Sequence, residues 1–220
     1  IMANVLLVDE INRATPRTQS ALLEAMTDFK ISVEGRSLKL PDPFFMIATQ
    51  NPVEFEGTFP LPEPQKDSFF LSLSMGCPPE EAEEEIMVAQ QRLTHPVTDL
   101  KPVTSLETVI KLQSIVPKVK VAPDAEELIL KVISATRNDS RLTLGASPRA
   151  SMALYRGSQA LAAIRGRSGA TVKDVVELIP AVLQKRIAVK SEVQLKGVDE
   201  LQIIEEIIAG ATGAGAGEQR

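Results

Sequence analysis

The stretch that decides the fold is Val5-Leu6-Leu7-Val8-Asp9-Glu10, in which four apolar residues run directly into two adjacent carboxylates. A short, continuous apolar run is typical of a strand that is buried on both faces, as in a parallel sheet. Acids at the carboxyl end of such a strand lie where open α/β sheets bind their ligands. One acid can hold Mg²⁺, directly or through water, and the other can orient or deprotonate a water molecule. The alternative is a buried strand whose polar residues at the end have only a structural role.

A second apolar run follows the same design. Phe44-Phe45-Met46-Ile47-Ala48 ends in Thr49-Gln50-Asn51. If the two strands are parallel neighbours, Asn51 lies beside Asp9 and Glu10, because the carboxyl ends of parallel strands meet at one edge of the sheet. Its amide would there be able to hold an attacking water or a γ-phosphate oxygen.

Two further elements are predicted between these runs. Thr15 before Pro16 is a good N-cap and first-turn pair, and the residues that follow place apolar side chains at helical spacing. Polar and apolar residues then alternate from Lys30 to Leu40 around Glu34-Gly35-Arg36, which predicts a β-hairpin.

Four segments together resemble the MoxR-type AAA+ ATPases. They are VLLVDEINRATPRTQSALLEAM, the hairpin, FFMIATQNPVEFEGTFPLPE and LGASPRASMAL, and the resemblance covers residues 3 to 208. It implies that Asp9 and Glu10 are the Walker B pair, that Asn51 is sensor 1 and that Arg149 is sensor 2. The hairpin around Gly35 resembles the insertion that precedes sensor 1 in this branch.

The resemblance also implies a chemistry and a set of partners. ATP and Mg²⁺ would be the cofactors, with Asp9 assisting the metal, Glu10 polarising the attacking water, Asn51 positioning that water and Arg149 contacting the phosphates. The complete protein would be a homo-oligomeric ring, a hexamer, with a chaperone-like role in remodelling or maturing partner proteins, including ones with von Willebrand A domains.

The chain departs from the family pattern in its missing phosphate loop. No G-x-x-x-x-G-K-[ST] motif occurs in it, and the glycine- and alanine-rich stretch near its end contains no lysine. In P-loop enzymes that loop cradles the β- and γ-phosphates. We therefore interpret the sequence as a fragment of a longer ATPase, inactive by itself, in preference to a natural protein without the loop.

The second departure lies at position 68. The family usually reads L-P-E-A-Q-x-D-R-F here, whereas this chain has Ser68 between Asp67 and Phe69. The family's arginine reaches the ATP of a neighbouring subunit, and a serine cannot neutralise charge on a phosphoryl group. This leaves a non-catalytic assembly or scaffold subunit as the alternative function. A DNA-associated AAA+ relative is a third hypothesis, disfavoured because the G-A-F-T-G-A loop is missing.

The expected architecture is α/β: a partial AAA+ parallel-sheet core followed by an all-α helical lid. The core would span residues 1–78, the lid 79–208 and a disordered tail 209–220. The lid helices are expected at residues 79–93, 106–116, 125–137, 148–164, 172–178, 179–189 and 198–208. The segment 179–189 is expected to continue the helix after Pro180.

Composition and charge limit the remaining possibilities. A net charge of −5 argues against a general nucleic-acid binder, and no apolar run reaches the ~18 residues of a membrane helix. Cys77 and His95 are single residues of their kinds, so no cysteine-based metal site or disulfide is expected. A cytoplasmic location fits best.

Two sets of lid cations need separate interpretations. Arg149 at the second position of a helix opposes the helix dipole, which favours a phosphate contact over an ordinary surface cation. The remaining cations are interpreted as a solvated helix face with some subunit contacts rather than a nucleic-acid patch. They are Arg156, Arg165, Arg167, Lys185 and Arg186.

Overall fold

The computed structural model of the chain describes residues 2–51, 57–91 and 96–213. The strands are β1 (Val5–Val8), β2 (Lys30–Val33), β3 (Arg36–Lys39), β4 (Phe45–Ala48), β5 (Lys120–Val121), β6 (Leu142–Leu144), β7 (Gly169–Ala170) and β8 (Ala188–Val189). The helices are α1 (Pro16–Asp28), α2 (Glu63–Lys66), α3 (Glu80–Ala89), α4 (Leu106–Ile115), α5 (Pro123–Asn138), α6 (Pro148–Ile164), α7 (Val172–Leu183), α8 (Ser191–Gln194) and α9 (Glu200–Thr212). Short 3₁₀ turns lie at Ile11–Arg13, Pro96–Asp99 and Val116–Lys118.

Strands β1 and β4 form a parallel pair, which confirms that the two apolar runs are neighbours. Val5 lies opposite Phe45 and Val8 opposite Ala48. The predicted burial on both faces is wrong for the described residues, because Val5 is 60% exposed and Leu7 65% exposed. Successive side chains point to opposite faces, so one face of this pair is open while the other is half-buried.

The predicted helix and hairpin are also present. The Thr15 side chain accepts a hydrogen bond from the backbone N–H of Thr18 and so caps α1. Strands β2 and β3 pair antiparallel as the hairpin, with Val33 opposite Arg36. A small apolar cluster joins the two elements and is formed by Ala25, Ile31, Leu40 and Phe44.

The lid has its own larger core. The helices α5, α6, α7 and α9 bury apolar residues against one another. Four of these residues are fully buried: Val132, Leu154, Ile179 and Ile203. The helical lid also contains two short two-stranded sheets that periodicity did not predict: β5 pairs parallel with β7, and β6 pairs antiparallel with β8.

Pro180 lies within α7, and the helix ends at Leu183, short of the predicted end at residue 189. The helix runs through it from Val172 to Leu183, and the following residues form no helix before β8. An internal proline loses a backbone hydrogen bond and crowds the preceding turn. Here the buried stripe of Val175, Ile179 and Val182 keeps the helix intact.

Other boundaries also shift. Helix α9 continues to Thr212, so residues 209–212 belong to a helix and not to the predicted tail; Gly213 ends it with φ 75°, a conformation that glycine adopts without strain. Helix α3 ends at Ala89, short of the predicted end at residue 93. Residues 92–95, with His95, and the tail from 214 onward lie outside the described residues.

Arg186 joins the lid to the segment that follows α2, and it is buried rather than part of a solvated face. Its side chain is 4% exposed, and its Nε lies 3.2 Å from Asp67 Oδ1. It also donates hydrogen bonds to the backbone carbonyls of Phe69, Phe70 and Val182. Burial lowers the pKa of this guanidinium, while the Asp67 carboxylate opposes that shift.

Two other lid arginines pack around a buried carboxylate. Asp174 accepts hydrogen bonds from Arg167 and Arg165 and from the backbone N–H of Thr171, where it forms a capping box for α7. The hydrogen bond from Arg167 is the main cause that lowers the pKa of Asp174 well below its usual range. These cations therefore serve the lid's own structure.

Replacing Asp174 with asparagine should destabilise the chain by about 2 kcal/mol at pH 7, because the charged acceptor of the capping box is lost. A lowered pKa in the folded state contributes stability above the ordinary value of about 4, and this contribution disappears as the pH falls through the folded-state pKa. Urea unfolding between about pH 7 and pH 2 should therefore show a flatter pH dependence for the variant. The exposed Asp28→Asn serves as control; equal pH profiles for wild type and Asp174→Asn would contradict this account.

Candidate functional site

The site begins where β1 and β4 end, because the pairing of their backbones continues one step beyond both strands. The backbone N–H of Thr49 donates to the Val8 carbonyl at 2.9 Å, and the N–H of Ile11 donates to the Thr49 carbonyl at 2.9 Å. The residues that follow the two strands are thus held side by side at one edge of the sheet.

The hydroxyl of Thr49 links the two strand ends through side chains as well. It donates to Asp9 Oδ1 at 2.5 Å and accepts a hydrogen bond from the backbone N–H of Glu10 at 2.8 Å. Asp9 is exposed and Glu10 is half-buried. The two acids are therefore oriented by a residue on the neighbouring strand, and sequence reasoning did not assign that role to Thr49.

Both carboxylate oxygens of Glu10 have partners. Asn51 Nδ2 donates to Oε1 at 3.3 Å, and Arg13 Nε lies 3.2 Å from Oε2. The Glu10 backbone adopts φ 48° and ψ 56°, a left-handed conformation that costs energy for a residue with a side chain. Strained backbone concentrates at functional sites, and here it turns the Glu10 carboxylate toward Asn51.

The structure thus brings together three of the four residues singled out in the sequence: Asp9, Glu10 and Asn51. Arg13 was missed, and its signal was its position three residues after Glu10, where the 3₁₀ turn returns the chain to the carboxylate. Asn12 was also missed; its side-chain amide donates to the Asn51 carbonyl at 3.1 Å.

Arg149 lies elsewhere, at the start of α6. Ser147 caps that helix by accepting from the backbone N–H of Arg149, and Arg149 Nη1 donates to Ser68 Oγ at 2.9 Å. Ser147 also donates to Asp67 at 2.8 Å. Among the described residues no hydrogen bond or ion pair joins Arg149 to the acid pair. Its contact is instead with Ser68, the residue at which the sequence departs from the family pattern.

The oxygen donors at the sheet edge suit Mg²⁺. Asp9 offers one exposed carboxylate beside the Thr49 hydroxyl, and Mg²⁺ is usually held by one or two carboxylates together with water and substrate phosphates. A cage made only of protein acids is not the expected arrangement. In the part of the chain that the structure describes, no group of three or more His, Cys, Asp or Glu residues could hold a metal ion.

Comparison with known families accounts for both halves of the structure. A model described as "ATPase family associated with various cellular activities (AAA)" matches residues 1–71, and one described as "AAA lid domain" matches residues 134–207. The Bacillus subtilis protein YeaC is 41% identical over 95% of this chain and 65% of its own length. Chaperone MoxR1 of Mycobacterium tuberculosis is 37% identical over 85% of this chain and 51% of its own length. The chain belongs to the MoxR-type AAA+ ATPases.

A solved structure shares the fold of this chain. A putative ATPase from Cytophaga hutchinsonii superposes with a TM-score of 0.87 at 31% identity, over 94% of this chain and 66% of that one. The chain thus spans about two thirds of YeaC and of this structure and about half of MoxR1.

Replacing Thr49 with valine should lower the free energy of unfolding by about 1 kcal/mol, because the Asp9 carboxylate and the Glu10 N–H lose the hydroxyl that joins them. Valine keeps the shape and β-branching of threonine, so packing is unchanged. Urea unfolding of the chain measures the effect, and Thr49→Ser, which keeps a hydroxyl, is the control. A valine variant as stable as wild type would show that this link contributes nothing.

Proposed function

We propose that the complete protein couples Mg²⁺-dependent ATP hydrolysis to chaperone-like remodelling or maturation of partner proteins. The observation that carries this proposal is the contact between Asn51 and Glu10, beside Asp9, at one edge of a parallel strand pair. An acid that can activate water, an amide that can orient it and a carboxylate for the metal are the groups that phosphoryl transfer to water requires.

The chain's own residues would divide the work as follows. Asp9 would hold Mg²⁺, which when bound neutralises charge on the phosphates. Glu10 would accept the proton of the attacking water, and Asn51 would orient that water. Each oxygen of Glu10 has one partner, Asn51 or Arg13, and keeps a second lone pair that can accept from a water molecule.

Arg149 would report the nucleotide to the lid. Its guanidinium is exposed at the N-terminus of α6 and is held by the neutral hydroxyl of Ser68. A phosphate would be a stronger, charged acceptor than that hydroxyl. Exchange of Ser68 for a phosphate would then change the angle between core and lid, so that hydrolysis becomes a rigid-body motion.

The proposal includes a phosphate loop from a segment that precedes residue 1 in the complete protein. Two facts support it: the chain spans only part of its relatives, and the sheet face formed by Val5, Leu7, Phe45 and Ile47 is exposed. Such a segment would cover this face and supply the groups that grip the phosphates. Hydrolysis is accordingly assigned to the complete protein, and the chain by itself is expected to be inactive.

The domain division and the partners belong to the same proposal. We assign the nucleotide-binding core to residues 1–78 and the lid to residues 79–208; family models that match residues 1–71 and 134–207 support a core followed by a lid. Family membership supports a homo-oligomeric ring, a hexamer, acting in the cytoplasm on clients that include von Willebrand A-domain proteins, without nucleic acid or membrane. Across the described ranges no helix has both the length and the apolar character of a membrane span.

The hairpin tip is the part of the core best placed for such clients. Glu34, Gly35 and Arg36 are exposed, whereas Ile31 and Leu40 at its base are buried. A deletion of the whole hairpin would therefore remove core residues together with the tip.

Glu10→Gln in the complete protein should reduce ATP turnover at least about 100-fold while ATP still binds, because glutamine keeps the size of the side chain but cannot take a proton. Steady-state phosphate release and equilibrium nucleotide binding measure the two effects. The matched control is Glu81→Gln on the exposed surface of α3. If Glu10→Gln retains turnover, Glu10 is not the base.

A second function, a non-catalytic assembly subunit, is favoured by one observation. Position 68 holds a serine whose hydroxyl contacts Arg149 of its own chain and the Pro64 carbonyl. Such a side chain supplies no cation to a neighbouring subunit. In this alternative the protein would bind nucleotide within a ring without activating its neighbour.

Ser68→Arg should raise the turnover of the assembled complete protein by more than about threefold if the missing cation limits the rate. The Ser68→Ala control removes the hydroxyl contact with Arg149 without adding a charge. Turnover of mixed and pure assemblies measures the effect. An increase below that threshold would leave the serine at this position without a functional consequence.

A further inference from the structure

Two buried amide side chains, Asn12 and Gln19, contact the backbone around the acid pair and have no part in the function proposed so far. Asn12 is 4% exposed and Gln19 is 1% exposed. Asn12 belongs to the 3₁₀ turn that follows Glu10, and Gln19 lies in the first turns of α1. Amides this deeply buried are costly unless hydrogen bonds satisfy them.

Asn12 joins the end of β1 to the end of β4. Its Nδ2 donates to the Asn51 carbonyl at 3.1 Å, and its own backbone carbonyl accepts from the N–H of Phe59 at 2.7 Å. One residue therefore holds the segments on both sides of the undescribed residues 52–56. The Asn51 backbone is fixed by this donor, while the Asn51 side chain reaches Glu10.

Gln19 of α1 contacts the same turn. Its Nε2 donates to the Ile11 carbonyl at 3.2 Å and to the Phe59 carbonyl at 3.0 Å. Gln19 thus joins the 3₁₀ turn and the segment at Phe59 to α1, and Asn12 joins the same turn to Asn51. The position of Asn51 relative to Glu10 follows from these amide contacts and from the strand register.

Stability alone does not explain the choice of asparagine at position 12. Its Oδ1 is buried and has no hydrogen-bond partner among the described residues. A buried acceptor without a partner costs about 1–3 kcal/mol, which an apolar side chain of similar size would avoid. The hydrogen bond of the donor end offsets only part of that cost, and the group it holds is the backbone of Asn51.

We propose that Asn12 is a positioning residue that fixes Asn51 against Glu10, with Gln19 holding the turn that carries it. This inference rests on the proposed function, since positioning matters for catalysis only if Glu10 and Asn51 act on water. A displacement of a positioned group by about 1 Å can cost on the order of 100-fold in rate.

The test is Asn12→Leu in the complete protein. We expect kcat for ATP hydrolysis to fall at least about 10-fold with KM for ATP within about twofold of wild type, because the phosphate-binding groups are untouched. The midpoint of thermal unfolding should stay within a few degrees of wild type, because the unpaired acceptor that leucine removes offsets the donor that the Asn51 carbonyl loses. The smaller Asn12→Ala, which likewise has no donor for the Asn51 carbonyl and adds no charge, should lose kcat in the same way and serves if the leucine variant does not fold.

The matched control is Gln159→Leu in the lid. Gln159 is 2% exposed and its Nε2 donates to a single backbone carbonyl, that of Val119, at 2.6 Å. It is an amide of similar burial that touches no residue of the acid pair, and its Oε1 also accepts a hydrogen bond from Arg156 Nη1 at 3.2 Å. Its kcat should remain within about twofold of wild type, and a loss equal to that of Asn12→Leu would overturn the positioning role.

A readout that does not depend on activity separates the two proposals. In the 220-residue chain the side-chain NH₂ signals of Asn51, observed by ¹⁵N NMR, should shift or broaden in Asn12→Leu and stay unchanged in Gln159→Leu. If the Asn51 signals move but the wild-type complete protein hydrolyses no ATP, the positioning role stands and the proposed function fails. If wild type hydrolyses ATP while both Asn12 variants retain kcat and the Asn51 signals stay in place, the positioning role is overturned.

Discussion

The register between β1 and β4 is the constraint on which the site depends. Val8 lies opposite Ala48, and the hydrogen bonds of Thr49 and Ile11 extend this register past both strands. A slip of one residue would turn every side chain of a strand to the opposite face. The side chains of Asp9 and Asn51 would then point to different faces of the sheet, and the acid pair would lose the neighbour that orients it.

Register alone does not determine the conformation of the carboxylates. Asp9 is set by the hydroxyl of Thr49, and Glu10 is set by its left-handed backbone together with Asn51 and Arg13. The arrangement combines a backbone cost at Glu10 with polar contacts that offset it. Sites of this kind are held by the surrounding structure rather than by the preferences of the residues themselves.

The parts of the fold that follow from local chemistry could be predicted from the sequence. Alternation around Glu34-Gly35-Arg36 predicted the hairpin, and the Thr15-Pro16 pair predicted the start of α1, because turns and caps depend on neighbouring residues. The side-by-side placement of the acid pair and Asn51 also followed, since both come directly after apolar runs.

The remaining features depend on contacts between distant residues and could not be predicted in this way. Pro180 stays within α7 because of packing in the lid core, and the short lid strands are too brief to show a period. Arg186 looked like a surface cation, yet it is buried by its contacts with the segment after α2, more than 110 positions away. Thr49 and Asn12 acquire their contacts only through the pairing of the two strands.

The contacts of Arg186 with residues 67–70 attach this segment to the lid. Asp67 accepts from Arg186 and Ser147, Ser68 accepts from Arg149, and the N–H of Ser72 donates to the Ala181 carbonyl. This short stretch is therefore fastened to the helical half of the molecule and is not free to travel with the sheet. If the helices move relative to the sheet, these contacts would carry residue 68 with the helices.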